Sequence, residues 1–208
     1  MKINENIQVI DKEICINCGC VYSPDNFSMI TFGNLKGELE KGKISITSEF
    51  IISAKNVSYF LLLRARNKDR EIVDLFSAKS TCSLLGENGC ELTDSEKPQG
   101  GLLYIPSKDG NCKGLYTDQI AYQEWSNHQK ILERLTKYFC GKTSQEKIRE
   151  DIIQVAYQLV SKERENVINL NNFTQEETAL WDTLNAIIPT YQKEIEAGFR
   201  LAKKKIYN

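Results

Sequence analysis

Six cysteines in the first part of the chain have spacings that suit metal ligation: Cys15, Cys18, Cys20, Cys82, Cys90 and Cys112. Two residues separate Cys15 from Cys18, so both thiolates can converge on one tetrahedral ion, and Gly19 leaves the backbone free to wrap that ion. A Gly-Glu-Asn-Gly sequence between Cys82 and Cys90 predicts a turn that brings this second pair together. Four thiolates would complete a closed structural site.

Zinc is the metal that this pattern favours, because a closed site of four thiolates needs no open coordination position. Six cysteines also allow two ions that share thiolates, or an iron–sulfur cluster, although the spacing does not match the ferredoxin runs. Two other interpretations stay open. In the first, the cysteines are simply small apolar residues that are buried in the core. In the second, Cys15 and Cys18 form a redox dithiol, although that motif usually opens a helix in a βαβ unit, which this sequence lacks.

The only histidine, His128, lies on an apolar helical stripe between Trp125 and Leu132. We interpret it as a core or interface histidine. It becomes a mixed ligand of the metal if that stripe packs against the cysteine-rich part. Cys140 ends the same stripe without a cysteine neighbour, and we interpret it as structural.

The composition is that of an ordinary globular protein. The chain has 208 residues, 41% of them hydrophobic and 26% charged, which excludes disordered, collagen-like and disulfide-dense classes. A net charge of -1 gives no general attraction to nucleic acid or to an anionic membrane, so we expect neither as a partner. The N-terminus lacks the apolar core of a signal peptide, and no run approaches the roughly 20 apolar residues of a bilayer span. We therefore expect a cytoplasmic protein whose thiols stay reduced.

The chain changes character near Tyr116, because ten of the twelve glycines and six of the seven cysteines precede residue 117. This predicts a cysteine-rich metal-binding domain over residues 1–116 and a helical domain over residues 117–208. In the first domain, Ser23 and Pro24 resemble a helix start, and a weak helix follows up to Gly42. Alternation and β-branched residues predict strands over residues 43–47, 57–66 and 71–76, the last two as a hairpin.

The second domain has helix start and stop signals. Apolar residues from Ala121 to Phe139 recur at steps of three and four and predict one helix, with Gly141 as its C-cap. Thr143 and Thr174 each begin a capping box and open two further helices. Pro189 lies inside the last helix and predicts a kink or a break. The simplest arrangement is three antiparallel helices, and the fold class is α+β.

The cysteine motifs resemble those of a bacterial family of zinc- or iron-chelating cysteine-cluster proteins (YkgJ-like). The resemblance covers about residues 13–116 and rests on Cys15-Ile-Asn-Cys18-Gly-Cys20, on the segment from Cys82 to Cys90, and on Lys97-Pro98 with Gly100-Gly101. Members commonly have adjacent cysteines where this chain has Cys18-Gly-Cys20, and often a cysteine after the proline of the later motif. The resemblance implies a chelated metal, with Cys112 as the candidate for the missing ligand, and it names no reaction.

These observations predict a metal-binding protein with a cysteine-ligated zinc or iron–sulfur site. One alternative is an iron–sulfur enzyme that modifies proteins by redox or radical chemistry, by analogy with the flagellin lysine methylases, which carry a related cysteine cluster. Another is an interaction module in which the helical half binds a protein partner. The motifs of P-loop and dinucleotide sites, zinc proteases and serine hydrolases do not occur, and no catalytic residue is predicted.

Overall fold

The computed structural model describes residues 20–53, 56–68, 70–77, 82–86, 89–105, 113–165 and 173–206. The first half contains α1 (Phe32–Glu40), β1 (Ile44–Ile52), β2 (Val57–Ala65), β3 (Leu85–Gly86), β4 (Gly89–Cys90), α2 (Gln99–Leu102), β5 (Tyr104–Ile105) and β6 (Lys113–Gly114). The second half contains α3 (Asp118–Trp125), α4 (Gln129–Cys140), α5 (Ser144–Glu165) and α6 (Gln175–Ile206). Short 3-10 turns lie at Pro24–Asn26 and Ser126–His128. The predicted α+β class is confirmed.

An antiparallel hairpin of β1 and β2 forms the central sheet, with its register running from Ile44 opposite Ala65 to Ile52 opposite Val57. Neighbouring residues of β2 point to opposite faces of the sheet, yet all four residues from Phe60 to Leu63 are buried. Both faces of β2 are therefore covered by protein. Such an apolar run is typical of a strand that is buried on both sides.

The hairpin predicted from residues 57–66 and 71–76 is wrong. Strand β2 pairs with β1, and the segment around Val73 instead bridges Ile46 in parallel on the far edge of β1. The Ile46 N–H donates to the Ile72 carbonyl at 2.8 Å, and the Asp74 N–H donates to the Ile46 carbonyl at 3.0 Å. The edge of β1 accepts this segment because its peptide groups would otherwise lack partners.

Residues 20–22 extend the sheet on the other edge of β2. The Ala65 N–H donates to the Cys20 carbonyl, and the Tyr22 N–H donates to the Leu63 carbonyl, both at 2.9 Å. Where this short segment ends, the side-chain amide of Gln129 continues the pairing, since it bonds both the N–H and the carbonyl of Leu61 at 2.8 Å. A side chain thus takes the place of a neighbouring strand.

The single helix predicted from Ala121 to Phe139 is interrupted. Helix α3 ends at Trp125, the turn Ser126–His128 follows, and α4 begins at Gln129. Long-range bonds hold both sides of the break, because the Trp125 indole N–H donates to the Tyr22 carbonyl at 2.8 Å and Gln129 is bound to Leu61. The local periodicity did not reveal these contacts with the sheet.

Most of the predicted helix ends are confirmed. Gly141 ends α4 in the left-handed conformation with a φ of 72°. Both capping boxes form, Thr143 with Glu146 and Thr174 with Glu177. In each box the threonine hydroxyl accepts the backbone N–H of the glutamate, and the glutamate carboxylate accepts the backbone N–H of the threonine. Ser23 caps the turn Pro24–Asn26, whereas α1 starts later than predicted, after Thr31.

Helix α6 folds back on itself near Pro189, which confirms the predicted kink. Tyr191 has non-helical backbone angles, with φ -117° and ψ 23°. The rings of Trp181 and Phe199 stack with their centroids 6.3 Å apart. The same two positions would be separated by about 27 Å along a straight helix. The two arms of α6 therefore run back past each other and pack with α5.

One hydrophobic cluster connects the two halves of the chain. It contains sheet residues such as Ile46 and Leu62 together with Trp125, Ile148 and Ile195 from the helices. The Tyr59 and Ser144 hydroxyls are 2.8 Å apart, and the Phe50 and Tyr191 rings make an edge contact at 6.2 Å. The core is thus shared between residues 1–116 and 117–208, and the division into two domains stays a prediction.

Alanine at two helical glycines should have opposite effects on stability. A Cβ atom at Gly198 would lie 2.5 Å from the Ile153 carbonyl oxygen and 2.7 Å from the Ala156 Cβ, whereas a Cβ at Gly37 in α1 would meet nothing within 4 Å. We expect Gly198→Ala to lower the free energy of unfolding by about 1–3 kcal/mol through overpacking. Gly37→Ala should raise it by about 0.5–1 kcal/mol through helix propensity.

Chemical denaturation of the two variants beside the parent protein measures both differences. A stabilising Gly198→Ala substitution would contradict the close contact between α5 and α6.

Candidate metal centre

The structure describes three of the six predicted ligands, Cys20, Cys82 and Cys90. Cys15, Cys18 and Cys112 lie outside the described residues. Neither these three described cysteines nor Cys140 forms a disulfide with another described residue. The predicted ligand set is therefore placed in part.

Cys20 is held by the sheet. Its carbonyl accepts the Ala65 N–H, and the two residues that follow it, Val21 and Tyr22, are bonded to the backbones of Gly100 and Leu63. The Cys20 side chain is half-buried. An extended segment with partners on both edges leaves little backbone freedom, so the backbone from which the Cys20 side chain projects is firmly positioned.

Cys82 lies in space beside the residues that follow β2. It bridges Asn67, and the next residue, Ser83, donates its N–H to the Arg66 carbonyl at 2.7 Å. The Leu84 N–H points to the Cys82 Sγ at 3.4 Å, which is a contact that favours the thiolate form. The strand end thus fixes the second thiol.

Cys90 lies on the ribbon that follows Cys82. In the β3–β4 ribbon, Leu85 is opposite Cys90 and Gly86 is opposite Gly89. The chain therefore folds back between Cys82 and Cys90 as predicted. Cys90 is exposed, and so it is the most accessible of the three described thiols.

Backbone pairings place the three described cysteines around the end of β2: Cys20 is bonded to Ala65, Cys82 bridges Asn67, and Cys90 is opposite Leu85 in the ribbon that follows Cys82. Burial raises the pKa of Tyr22 well above its ordinary value, and the negative charges of Cys20, Cys82 and Cys90 raise it further. The three cysteines come from separate segments of the chain, and we call this region around Tyr22 the thiol corner.

The donors of the thiol corner are of the right chemical type for a thiophilic metal, since thiolates bind zinc and iron–sulfur clusters. Within the described residues, no three Cys, His, Asp or Glu side chains are close enough together to hold an ion. A complete site thus requires thiols from Cys15, Cys18 or Cys112, or movement of the three described ones when an ion binds.

His128 and Cys140 have other surroundings. The half-buried His128 makes an edge contact with Trp125 at a centroid distance of 6.0 Å, which agrees with a core or interface histidine. Rings of Phe27 and Tyr22 continue this row towards the thiol corner, at 6.3 and 5.8 Å. The Cys140 thiol donates to the Thr136 carbonyl at 3.0 Å within its own helix, as a structural cysteine does.

No family model, no curated protein and no solved structure matches this chain. Membership of the cysteine-cluster family therefore stays a prediction that rests on the motifs. None of the helices in the described ranges is both long enough and apolar enough to cross a membrane.

A second polar region, which the sequence did not indicate, lies between α5 and the segment around Val73. A cavity of about 480 Å³ opens there, lined by Arg66, Glu71, Ile72, Val73, Phe139, Cys140, Lys142, Lys147 and Glu150. Beside it, Lys147 donates to Asp151 at 2.6 Å, and both side chains are 14% exposed. Burial and the nearby Asp74 raise the pKa of Asp151 to about 6, although Lys147 and the Leu75 N–H act in the opposite direction.

This carboxyl group should make stability depend on pH. Its pKa is higher in the folded than in the unfolded chain, so the folded state binds more protons between about pH 4 and 6, and stability falls as pH rises through that window. We expect the free energy of unfolding of the parent, minus that of Asp151→Asn, to decrease by on the order of 2 kcal/mol from pH 4 to 7. Chemical denaturation of both proteins at pH 4 and at pH 7 measures this difference. A difference that stays constant with pH would contradict the raised pKa of Asp151.

Proposed function

We propose that this chain is a metal-binding protein whose cysteines hold zinc, with an iron–sulfur cluster as the alternative. Cys20, Cys82 and Cys90 are the ligands with described positions, and Cys15, Cys18 and Cys112 are the candidates that complete the set. The observation that supports this proposal is the thiol corner, where backbone pairings bring cysteines from three segments to the end of β2 and the ribbon beside it.

Each described residue would have a distinct part in the site. Cys20 would supply a sulfur fixed by the sheet, and Cys82 a sulfur whose negative charge is stabilised by the Leu84 N–H. Thiols must lose their protons to bind, so binding releases protons and its affinity rises with pH. A bound zinc ion would supply a rigid tetrahedral link among the segments.

Such a link would stabilise the first half of the chain. Backbone bonds already join the Cys20 segment and Cys82 to β2, and Cys90 is on the β3–β4 ribbon that follows Cys82. A metal that joins them contributes its binding free energy to folding, because the site does not exist in the unfolded chain. The site is then structural, and any partner of the helical half stays a prediction.

The test is elemental analysis of the full chain purified without oxygen, together with an absorption spectrum. About one zinc per chain and no visible absorbance would support a structural site. Iron with sulfide and a broad visible band would support the cluster alternative. Protein that carries neither metal and takes up neither zinc nor iron would overturn the proposal.

Replacing one thiol of the corner should reduce metal content and stability together. We expect Cys20→Ser and Cys82→Ser each to lose most of the bound metal and to lower the melting temperature by about 5 °C or more, given about 2–4 °C per kcal/mol for a chain of this size. Cys140→Ser is the matched control, because among the described contacts the thiol there bonds only to the nearby carbonyls of Thr136 and Lys142. Metal content that is equal in all three variants would remove Cys20 and Cys82 from the ligand set.

A further inference from the structure

The short helix α2 packs directly against the segment that carries Cys20. The Gly100 N–H donates to the Val21 carbonyl at 2.9 Å. A Cβ atom at Gly100 would lie 2.7 Å from the Val21 nitrogen, closer than any side chain tolerates. The backbone of α2 therefore touches the backbone of the Cys20 segment, and the first glycine makes that approach possible.

The second glycine of α2 faces the sulfur itself. A Cβ atom at Gly101 would lie 3.0 Å from the Cys20 Sγ and 3.7 Å from the Cys20 Cβ, whereas ordinary contacts begin near 3.4 Å. Because the Cys20 backbone is bonded to β2, the sulfur moves away from position 101 mainly by rotation about its single side-chain torsion. The Gly101 N–H is bonded to the Pro98 carbonyl at 2.8 Å, which restrains α2 as well.

We propose that Gly101 is a positioning residue of the metal site. By presenting bare backbone to the Cys20 thiol, it lets the sulfur occupy the place from which it binds the ion. This inference rests on the proposed function, because it assigns Cys20 as a ligand. It predicts that any side chain at position 101 displaces the sulfur, and that a side chain able to bind metal there compensates for the displacement.

An engineered disulfide between position 101 and Cys20 tests whether these two positions are in contact, and this test needs no metal. The distance of 3.7 Å between the two Cβ positions matches that of a disulfide, which averages about 3.8 Å. In Gly101→Cys, oxidised glutathione should accept two electrons and two protons from the paired thiols, which leaves one disulfide and two reduced glutathione molecules. Peptide mapping by mass spectrometry should locate the bond between position 101 and Cys20, and Gly101→Cys combined with Cys20→Ser is the control. Absence of that bond would overturn the contact.

Measurements of metal affinity test whether Gly101 positions the Cys20 sulfur. We expect Gly101→Ala to weaken binding of Zn²⁺ or Co²⁺ by about tenfold or more, as loss of outer-shell support commonly does. Reduced Gly101→Cys adds comparable bulk with a thiolate, so it should bind more tightly than Gly101→Ala and give a stronger sulfur-to-cobalt absorption band. Gly37→Ala, which adds a methyl group to α1 in open space, should bind as the parent does. Equal affinities for the Ala and Cys variants would reduce Gly101 to a packing role and overturn the inference.

The oxidised and reduced forms of Gly101→Cys give a second comparison within one folded protein. The disulfide withdraws the Cys20 sulfur, so oxidised protein should lose metal as Cys20→Ser does, and dithiothreitol should restore it, while parent protein treated alongside keeps its metal. Unchanged metal binding in the oxidised form would overturn the inference, even if Gly101→Ala does not fold. A parent protein that binds no metal would instead overturn the proposed function, and the mapped disulfide would still establish the contact.

Discussion

Strand β2 must find partners for the peptide groups on both of its edges while its side chains are buried on both faces. Strand β1 satisfies one edge along its whole length. The other edge is divided between residues 20–22 and the side-chain amide of Gln129. Because buried peptide groups are costly when unpaired, this arrangement fixes where Cys20 lies and where α4 begins. The position of Cys20 in the thiol corner is therefore a consequence of how the second edge of β2 is completed.

The helices depend on the same sheet for their placement. Trp125 is fully buried and bonded to Tyr22, so the end of α3 is tied to the segment that carries Cys20. Tyr59 and Phe50 reach from the hairpin to Ser144 and Tyr191, and thereby connect the sheet to α5 and to the kink of α6. The fold-back of α6 then lets both of its arms bury apolar residues against α5. Gly198 permits a close approach between α6 and α5.

In the thiol corner, protein contacts organise the three thiols unequally. Backbone bonds at Cys20 and at the two residues after it hold its segment, and Gly101 leaves room for its sulfur, whereas Cys90 is exposed on a two-residue strand. A site with one fixed ligand and others on less restrained segments can close around an ion as it binds. The Leu84 N–H already donates to the Cys82 sulfur before any ion binds. Such a bond lowers the electrostatic cost of bringing several thiolates together.

Features that depend on neighbouring residues could be predicted from the sequence. The two capping boxes, the left-handed Gly141, the kink after Pro189 and the turn between Cys82 and Cys90 all follow from groups within a few residues of one another. The tertiary structure alone decided which strands pair, where the helix after Thr117 is interrupted, and that Gly101 meets the Cys20 sulfur. It also decided that burial beside Lys147 and Asp74 changes the pKa of Asp151. These features depend on atoms distant in sequence, and a periodic pattern carries no information about which distant segment will satisfy a given strand edge or cover a given carboxyl group.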